Sequence, residues 1–395
     1  MAHVTTVDMS LRYLLLSQLE AIRAEGFDVC GISADGPHVA ALEARGFRHH
    51  PAAMTRRISP LADLAALAQL VRVMRRERFD IVHTHTPKAG LLGQLAARIA
   101  GVPVVVNTIH GFYFHEHTPP PHRAAWVALE WFAARCSDLV LSQNSEDLET
   151  AIRCGIVSRD RIELLGNGID IDRFSRARLD PTHQAKLRRS LGLEPTDHLV
   201  GFVGRLVAEK GISELLEAAH IVRREVPSAR FILIGPVEDK ADAIRPALSR
   251  EFGVEDITRF LGMRDDMPEL YGLMDVFVLP SHREGFPRAP MEASALGVPS
   301  IVTDVRGCRE VVVHGENGLR VPVRDAVRLA DAIVDLLRDA DKRRAMGARA
   351  REIAEERFDE RRIHSRVLAA YGQLLRRVSD RSGAPSQIEC SAVTT

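Results

Sequence analysis

The chain has 395 residues, room for two or three domains of about 150 each, which excludes a single small motif. Lys and Arg total 53, Asp and Glu also total 53, and 46% of residues are hydrophobic. That balance excludes a disordered chain and one whose whole surface tracks nucleic acid, while leaving room for a local basic face.

In chain order, residues 3–7 read as a strand, 11–24 as a helix closed by Gly26, and 27–33 as the next strand. Residues 61–78 follow as a helix, because Leu61, Leu64, Leu67, Leu70, Val71 and Met74 recur at three- and four-residue steps. Strand 80–83, helix 89–100 closed by Gly101, and strand 103–108 come next. A polar loop around Pro119-Pro120-Pro121 then leads to a helix with Trp126 and Trp131, strand 138–142 and another helix. After the charged stretch 173–197 a second series places strands at 198–203, 230–234, 258–261, 276–280, 300–303 and 318–321, with helices between. Repeated strand-helix units predict an α/β protein of two doubly wound domains, residues 1–180 and 181–359. A last helix covers 360–378, and the polar tail 379–395 is expected to be disordered.

Cys30, Cys136, Cys154, Cys308 and Cys390 form no CxxC pair, which fits a reducing compartment. No apolar run reaches the roughly 18 residues of a spanning helix, and residues 1–10 lack the pattern of a signal peptide. The reading is a cytoplasmic protein, soluble or peripheral.

The densest motif runs from Ser281 to Gly297 and holds two acids, Glu284 and Glu292. Pro290 suits the first position of a helix, Gly297 its end, and Pro299 prevents continuation. Glu284 is then expected in a strand-to-helix loop and Glu292 in the first helical turn. Both border a helix N-terminus, where open α/β sheets stabilise phosphate. Taken singly, Glu292 complements the helix dipole, worth under about 1 kcal/mol, and Glu284 is a solvated loop charge. Arg205 and Lys210, between Gly204 and Gly211, follow strand 198–203, where two cations suit a diphosphate.

Through Glu284-x7-Glu292 the sequence resembles glycosyltransferase family 4, a retaining class with the GT-B fold. Gly204-Arg205 with Lys210-Gly211, Gly166-Asn167-Gly168-Ile169-Asp170 with Phe174, and Gly315-Glu316-Asn317-Gly318 look like further family elements. His83-Thr84-His85-Thr86-Pro87-Lys88 and Asn107-Thr108-Ile109-His110-Gly111-Phe112 look like its bacterial polysaccharide branch, which builds on lipid-linked acceptors. The resemblance implies two Rossmann-like domains with an inter-domain cleft, the first holding the acceptor and the second a nucleotide sugar, a UDP-sugar by preference. It also implies that helix 360–378 packs back on the first domain.

Site roles follow from the same resemblance. Gly262, Met263 and Arg264 lie near the base, Glu292 on the ribose, and Glu284 with Gly285, Phe286 and Pro287 at the sugar. Arg205 and Lys210, framed by Gly204, hold the diphosphate. His110 takes a positioning or acid/base role near the reacting bond. Phe112, Tyr113 and Phe114 are expected as an exposed aromatic cluster, serving loop packing or an acceptor or lipid contact. One departure concerns the first strand-to-helix loop, Asp8-Met9-Ser10-Leu11-Arg12, which lacks the family's usual Gly-Gly. Either Ser10 and Arg12 supply the phosphate contact, or this domain touches phosphate less closely.

Other patterns are declined. Asp170-x-Asp172 lies in the junction without supporting context; His83-x-His85 and His115-x-His117 lack an evident third ligand; His49-His50 reads as a strand end. Neither metal nor cofactor is expected, and no nucleic-acid partner. Arg56, Arg57, Arg72, Arg75, Arg76 and Arg78 make either a solvated face or a patch for anionic lipid at the inner face of the plasma membrane, each charge worth about 1 kcal/mol. Two alternatives to a transferase remain: a nucleotide-sugar epimerase of GT-B architecture, and a non-catalytic subunit of a polysaccharide assembly complex.

Overall fold

The computed structural model describes residues 1–55, 59–115, 118–237 and 243–382. The chain divides into two compact units, Met1–Gly166 with the chain from Arg362 onward, and Asn167–Arg361. The break precedes the expected position near residue 180 because the junction is already core: Ile169, Ile171 and Phe174 are buried in the second unit. The Ile169 amide donates to the Phe358 carbonyl at 2.8 Å, fastening the junction there.

The first unit is a parallel seven-stranded sheet. Its strands are β1 (Ala2–Val7), β2 (Cys30–Ala34), β3 (Arg48–Pro51), β4 (Ile81–His85), β5 (Val104–Ile109), β6 (Leu139–Ser142) and β7 (Ile162–Leu164), in the order β3-β2-β1-β4-β5-β6-β7. The outer strands β3 and β7 lack the apolar run that marks the central ones, which is why periodicity passes over them. His49 lies within β3, and its Nε2 hydrogen-bonds Ser33 Oγ at 2.9 Å.

The first loop differs from expectation. Asp8–Ser10 is already helical and continues through a π-helical stretch, Leu11–Leu15, into helix Leu16–Ala24. Asp8 makes this possible without glycine, accepting from the Met9 amide at 2.8 Å and the His38 amide at 2.7 Å.

Helix Glu360–Ser382 places Ile363, Val367, Ala370, Tyr371 and Leu374 in the first unit's core with Leu19, Ile22 and Val106. It runs four residues past 378, so 379–382 are helix rather than tail; residues 383–395 lie outside the described residues.

The second unit is a parallel six-stranded sheet with β8 (His198–Val203), β9 (Ala229–Ile234), β10 (Thr258–Gly262), β11 (Val276–Leu279), β12 (Ser300–Thr303) and β13 (Gly318–Val321). The order is β10-β9-β8-β11-β12-β13. Each sheet reverses its winding once, between β1 and β4 and between β8 and β11, and doubly wound sheets bind ligands beyond the strand ends at such reversals.

Candidate functional site

In the second unit the loops after β8 and β11 meet at that reversal. Gly211 has φ +70°, and a Cβ on it would overlap the Pro280 carbonyl, so only glycine lets the two loops close. Side chains complete the join. Lys210 Nζ lies 2.5 Å from Glu284 Oε1, the His282 amide donates to the Glu209 carbonyl at 2.8 Å, and Arg283 Nε donates to Glu209 Oε1 at 2.9 Å. Glu284 is therefore no solvated loop charge: its side chain is 10% exposed and paired with Lys210. Arg205 is half-buried in the same loop, and Gly204 is backed by Gly235, whose φ is +144°.

Helix Arg288–Ala295 begins two residues before Pro290. Proline is tolerated throughout a first turn, where its missing N–H has no intrahelical partner. Glu292 thus stands in the second turn, not the first, and a dipole role does not explain it. Its carboxylate accepts from the Tyr271 hydroxyl at 2.9 Å; burial raises its pKa, with Arg288 pulling the other way. The backbone between the two acids is held from both sides. Gly307 packs so closely on the Gly285 carbonyl that a Cβ would overlap it, and Asn167 Nδ2 donates to the Phe286 carbonyl at 2.8 Å. Pro287 is the extended residue that enters the helix.

Beyond β10, Gly262 has φ +64° and Met263 is 54% exposed. The Arg264 guanidinium is tied to Asp266, with Nε to Oδ1 at 2.7 Å. Asp170 and Asp172 are structural: Asp170 Oδ1 accepts from the Arg173 amide at 2.9 Å, and Asp172 pairs with Arg361 at 3.3 Å.

In the first unit the corresponding edge carries threonine hydroxyls beside the Asp8 carboxylate and a Lys88–Asp63 pair. Thr86, at the reversal, has φ +66°, a strained value for a β-branched residue. Its hydroxyl lies 2.9 Å from that of Thr6. Thr86 lies in the His83–Lys88 element that carries the resemblance, but sequence pattern gave neither threonine a role. Ser10 and Arg12 are half-buried in the helical and π-helical stretch, not in a loop, and the Arg12 guanidinium lies 5.8 Å from the Tyr13 ring centre.

His110 follows β5. Its Nε2 is 3.1 Å from His85 Nδ1, and His85 Nε2 is 3.0 Å from His3 Nδ1. Parallel register explains the meeting: His3 faces His83 across β1 and β4, and alternate residues of β4 share one sheet face. The third histidine missing from the His83-x-His85 pattern is thus His3, and ligand-capable nitrogens of the three rings lie within 4.8 Å of one another. All stay uncharged: burial lowers His3 to about 3 and His110 to about 4, and holds His83 and His85 well below the ordinary value.

The aromatic cluster is mostly packing. Phe112 and Phe114 are buried and stack at 4.8 Å between centroids, while Tyr113, 47% exposed, stacks on Trp126 at 5.4 Å. Nearby, burial and then the Asp147 charge push Glu130 up to about 7, a perturbed acid with no sequence signature. His117, Arg56 and Arg57 lie outside the described residues. Arg72, Arg75, Arg76 and Arg78 are exposed, with Arg75 donating to the Ile99 carbonyl at 3.1 Å and Arg76 to Glu77 at 2.8 Å. Among the described residues no helix is long and apolar enough to cross a membrane.

Comparison with known proteins matches two family profiles, "Glycosyltransferase Family 4" over residues 14–173 and "Glycosyl transferases group 1" over 183–353. The chain is 31% identical to the Escherichia coli UDP-Gal:alpha-D-GlcNAc-diphosphoundecaprenol alpha-1,3-galactosyltransferase, covering 86% of this chain and 88% of that one. It is 29% identical to the Staphylococcus aureus capsular polysaccharide biosynthesis glycosyltransferase CapM, covering 95% and 97%. In fold it is similar to Anabaena HepE in complex with UDP-glucose, with TM-score 0.79 and 24% identity over 94% of this chain and 99% of that one.

Proposed function

Because the chain belongs to glycosyltransferase family 4, we propose that it moves a hexose or N-acetylhexosamine from a UDP-sugar to a lipid-linked saccharide, with retention at the anomeric carbon. It is a glycosyltransferase of GT-B fold acting in bacterial glycan biosynthesis; donor, acceptor and stereochemistry are the proposal. The observation that carries it is the closed pair of loops after β8 and β11, with Arg205, Lys210 and Glu284 at the winding reversal.

In this reading Arg205 and Lys210 stabilise the charge that grows on the diphosphate as the sugar bond breaks. Glu292 holds the ribose, Glu284 with Gly285, Phe286 and Pro287 receives the sugar, Gly262, Met263 and Arg264 border the base, and His110 positions the reacting end. The Lys210 pairing disfavours Glu284 as a covalent nucleophile, since its lone pairs are engaged by a cation. Front-face attack fits better: the acceptor oxygen bonds to the anomeric carbon beside the departing diphosphate, and a donor phosphate oxygen takes its proton. No step calls on a metal. The exposed arginines at 72, 75, 76 and 78 supply a surface for the anionic membrane that carries such an acceptor.

A thermal-shift screen of nucleotide sugars, followed by mass spectrometry and anomeric NMR of products on a polyprenyl-diphosphate sugar, tests this. One retained α-linked sugar added from a UDP donor is expected. A new sugar isomer from donor alone would make the protein an epimerase, and a donor left intact with every acceptor would make it a binding subunit.

A further inference from the structure

Three buried histidines and the half-buried His110 are joined more completely than packing requires. His83 Nε2 lies 2.7 Å from Thr108 Oγ1, and His83 Nδ1 lies 2.5 Å from the Tyr371 hydroxyl. That hydroxyl also lies 3.5 Å from His3 Nε2, the longest link. From His3 the path continues through His85 to His110, whose ring also hydrogen-bonds the Gln143 side chain. Both ring nitrogens of His3, His83 and His85, and Nε2 of His110, thereby lie on one path.

An uncharged imidazole has one N–H and one lone pair. In a single file of such rings, each must donate in the same direction as its neighbour, or two N–H groups or two lone pairs collide. The threonine and tyrosine hydroxyls donate and accept, so they pass the direction on. With the Gln143 oxygen as outermost acceptor, Thr108 donates to His83, His83 to Tyr371, Tyr371 to His3, His3 to His85, and His85 to His110. All four rings then carry their proton on Nδ1. Reversal of Gln143 would move all four to Nε2 together.

We propose that His3, His83, His85 and Tyr371 form a tautomer relay that fixes which ring nitrogen of His110 carries its proton, making them positioning residues for His110. The relay holds the His110 ring in one tautomer and one orientation at the strand edge, with no charge on it. Its use in catalysis rests on the reading that His110 faces the donor. Among the described residues, the groups acting on these rings are one another, Gln143 and the amino terminus of Met1, with no carboxylate or guanidinium among them. The hydrogen bonds also leave no nitrogen of His3, His83 or His85 spare for an ion, so the relay and a metal site at these three rings exclude each other.

Long-range proton–nitrogen NMR of the full-length protein labelled with 15N-histidine reads the tautomers directly. Four rings sharing one tautomer, Nδ1–H, and unchanged from pH 5.5 to 8 are expected. In His85→Leu, His110 should lose its single tautomer, while His85→Gln, which both donates and accepts, should hold it. Tyr371→Phe, a milder change, should free His83 and, by taking the partner from His3 Nε2, weaken the preference of His85 and His110 for one tautomer. Mixed tautomers in the wild-type protein, or a His110 signal unmoved in His85→Leu, would overturn the relay. So would one equivalent of transition metal bound through these rings in the purified protein. Full turnover by His110→Ala beside the expected spectra would leave the relay standing and remove His110 from the proposed site.

Discussion

The carboxyl edges of the two sheets solve opposite electrostatic problems. In the second unit the loops after β8 and β11 bring Lys210, Glu284, Arg283 and Glu209 together as charged pairs. In the first unit four neutral imidazoles run from inside the sheet, at His3 and His83, to the edge at His85 and His110. A diphosphate leaving group gains charge during the reaction and calls for fixed cations, whereas a sugar hydroxyl calls for directed hydrogen bonds without a field that would trap phosphate. The missing Gly-Gly in the first unit belongs to the same contrast: that edge is closed by Asp8, an acid, where a phosphate would need open amides.

Acid should reach the two edges very differently, and this is the largest effect expected. A histidine held below its ordinary pKa leaves the folded state with fewer protons than the unfolded one at mildly acidic pH. Stability is then fully present above about pH 6.5 and falls as pH drops toward the folded values, about 4 for His110 and 3 for His3. With His83 and His85 shifted the same way, these four rings link up to four protons to unfolding of the first unit, and His49 and His50, also lowered by burial, add to the same slope. Urea midpoints from pH 7.5 to 5 should fall steeply, and His3→Gln should lessen the slope by about one proton. A midpoint flat across that range would end the account of four neutral rings.

On the charged edge, Gly211→Ala sets a left-handed residue against the Pro280 carbonyl. A loss of about 3 kcal/mol is expected, from the conformation and the forced opening of the loops, read as a lowered melting temperature with donor binding lost. Wild-type melting with alanine in place would show that the loops do not need to touch.

Lys210→Ala should lower turnover at least tenfold, about 1.4 kcal/mol in barrier, because it removes a cation from the diphosphate and leaves Glu284 unpaired at 10% exposure. Turnover near wild type, measured by release of nucleotide diphosphate, would remove Lys210 from the leaving-group site.

The contrast between the two edges also explains what was legible in the sequence. Strands β8 through β13 stand out because each is a short apolar run ended by a polar loop, and Glu284 and Lys210 stand out because charge flanked by glycine is rare in a core. The histidine network was only half visible. His83-x-His85 shows alternation within one strand, but His3 joins it through parallel register and Tyr371 through a helix 288 residues away from His83. No local spacing encodes either. The start of helix Arg288–Ala295 was misplaced for a different reason: proline fits several positions of a first turn, so Pro290 marks the turn without marking its first residue. Phe112 and Phe114 turned out to be core because a run of aromatics carries no sign of which rings the loop folds inward.

The smallest expected effect lies at Glu292, a half-buried acid on the charged edge whose pKa, like those of the histidines, is shifted toward the neutral form. Burial raises its pKa, and the Tyr271 hydroxyl and Arg288 oppose that rise. If the carboxylate holds the ribose, nucleotide affinity is full above the raised pKa and declines as pH falls through it, because a protonated carboxyl gives up an acceptor. Tyr271→Phe removes one donor at 2.9 Å, so it should weaken UDP binding by about 1 kcal/mol, roughly fivefold, and move the decline to higher pH. Calorimetric titration with UDP between pH 5 and 8 reads both quantities. Weaker binding with an unmoved pH profile would show that Tyr271 shapes the pocket without touching the acid's charge, and would return Glu292 to a purely structural role.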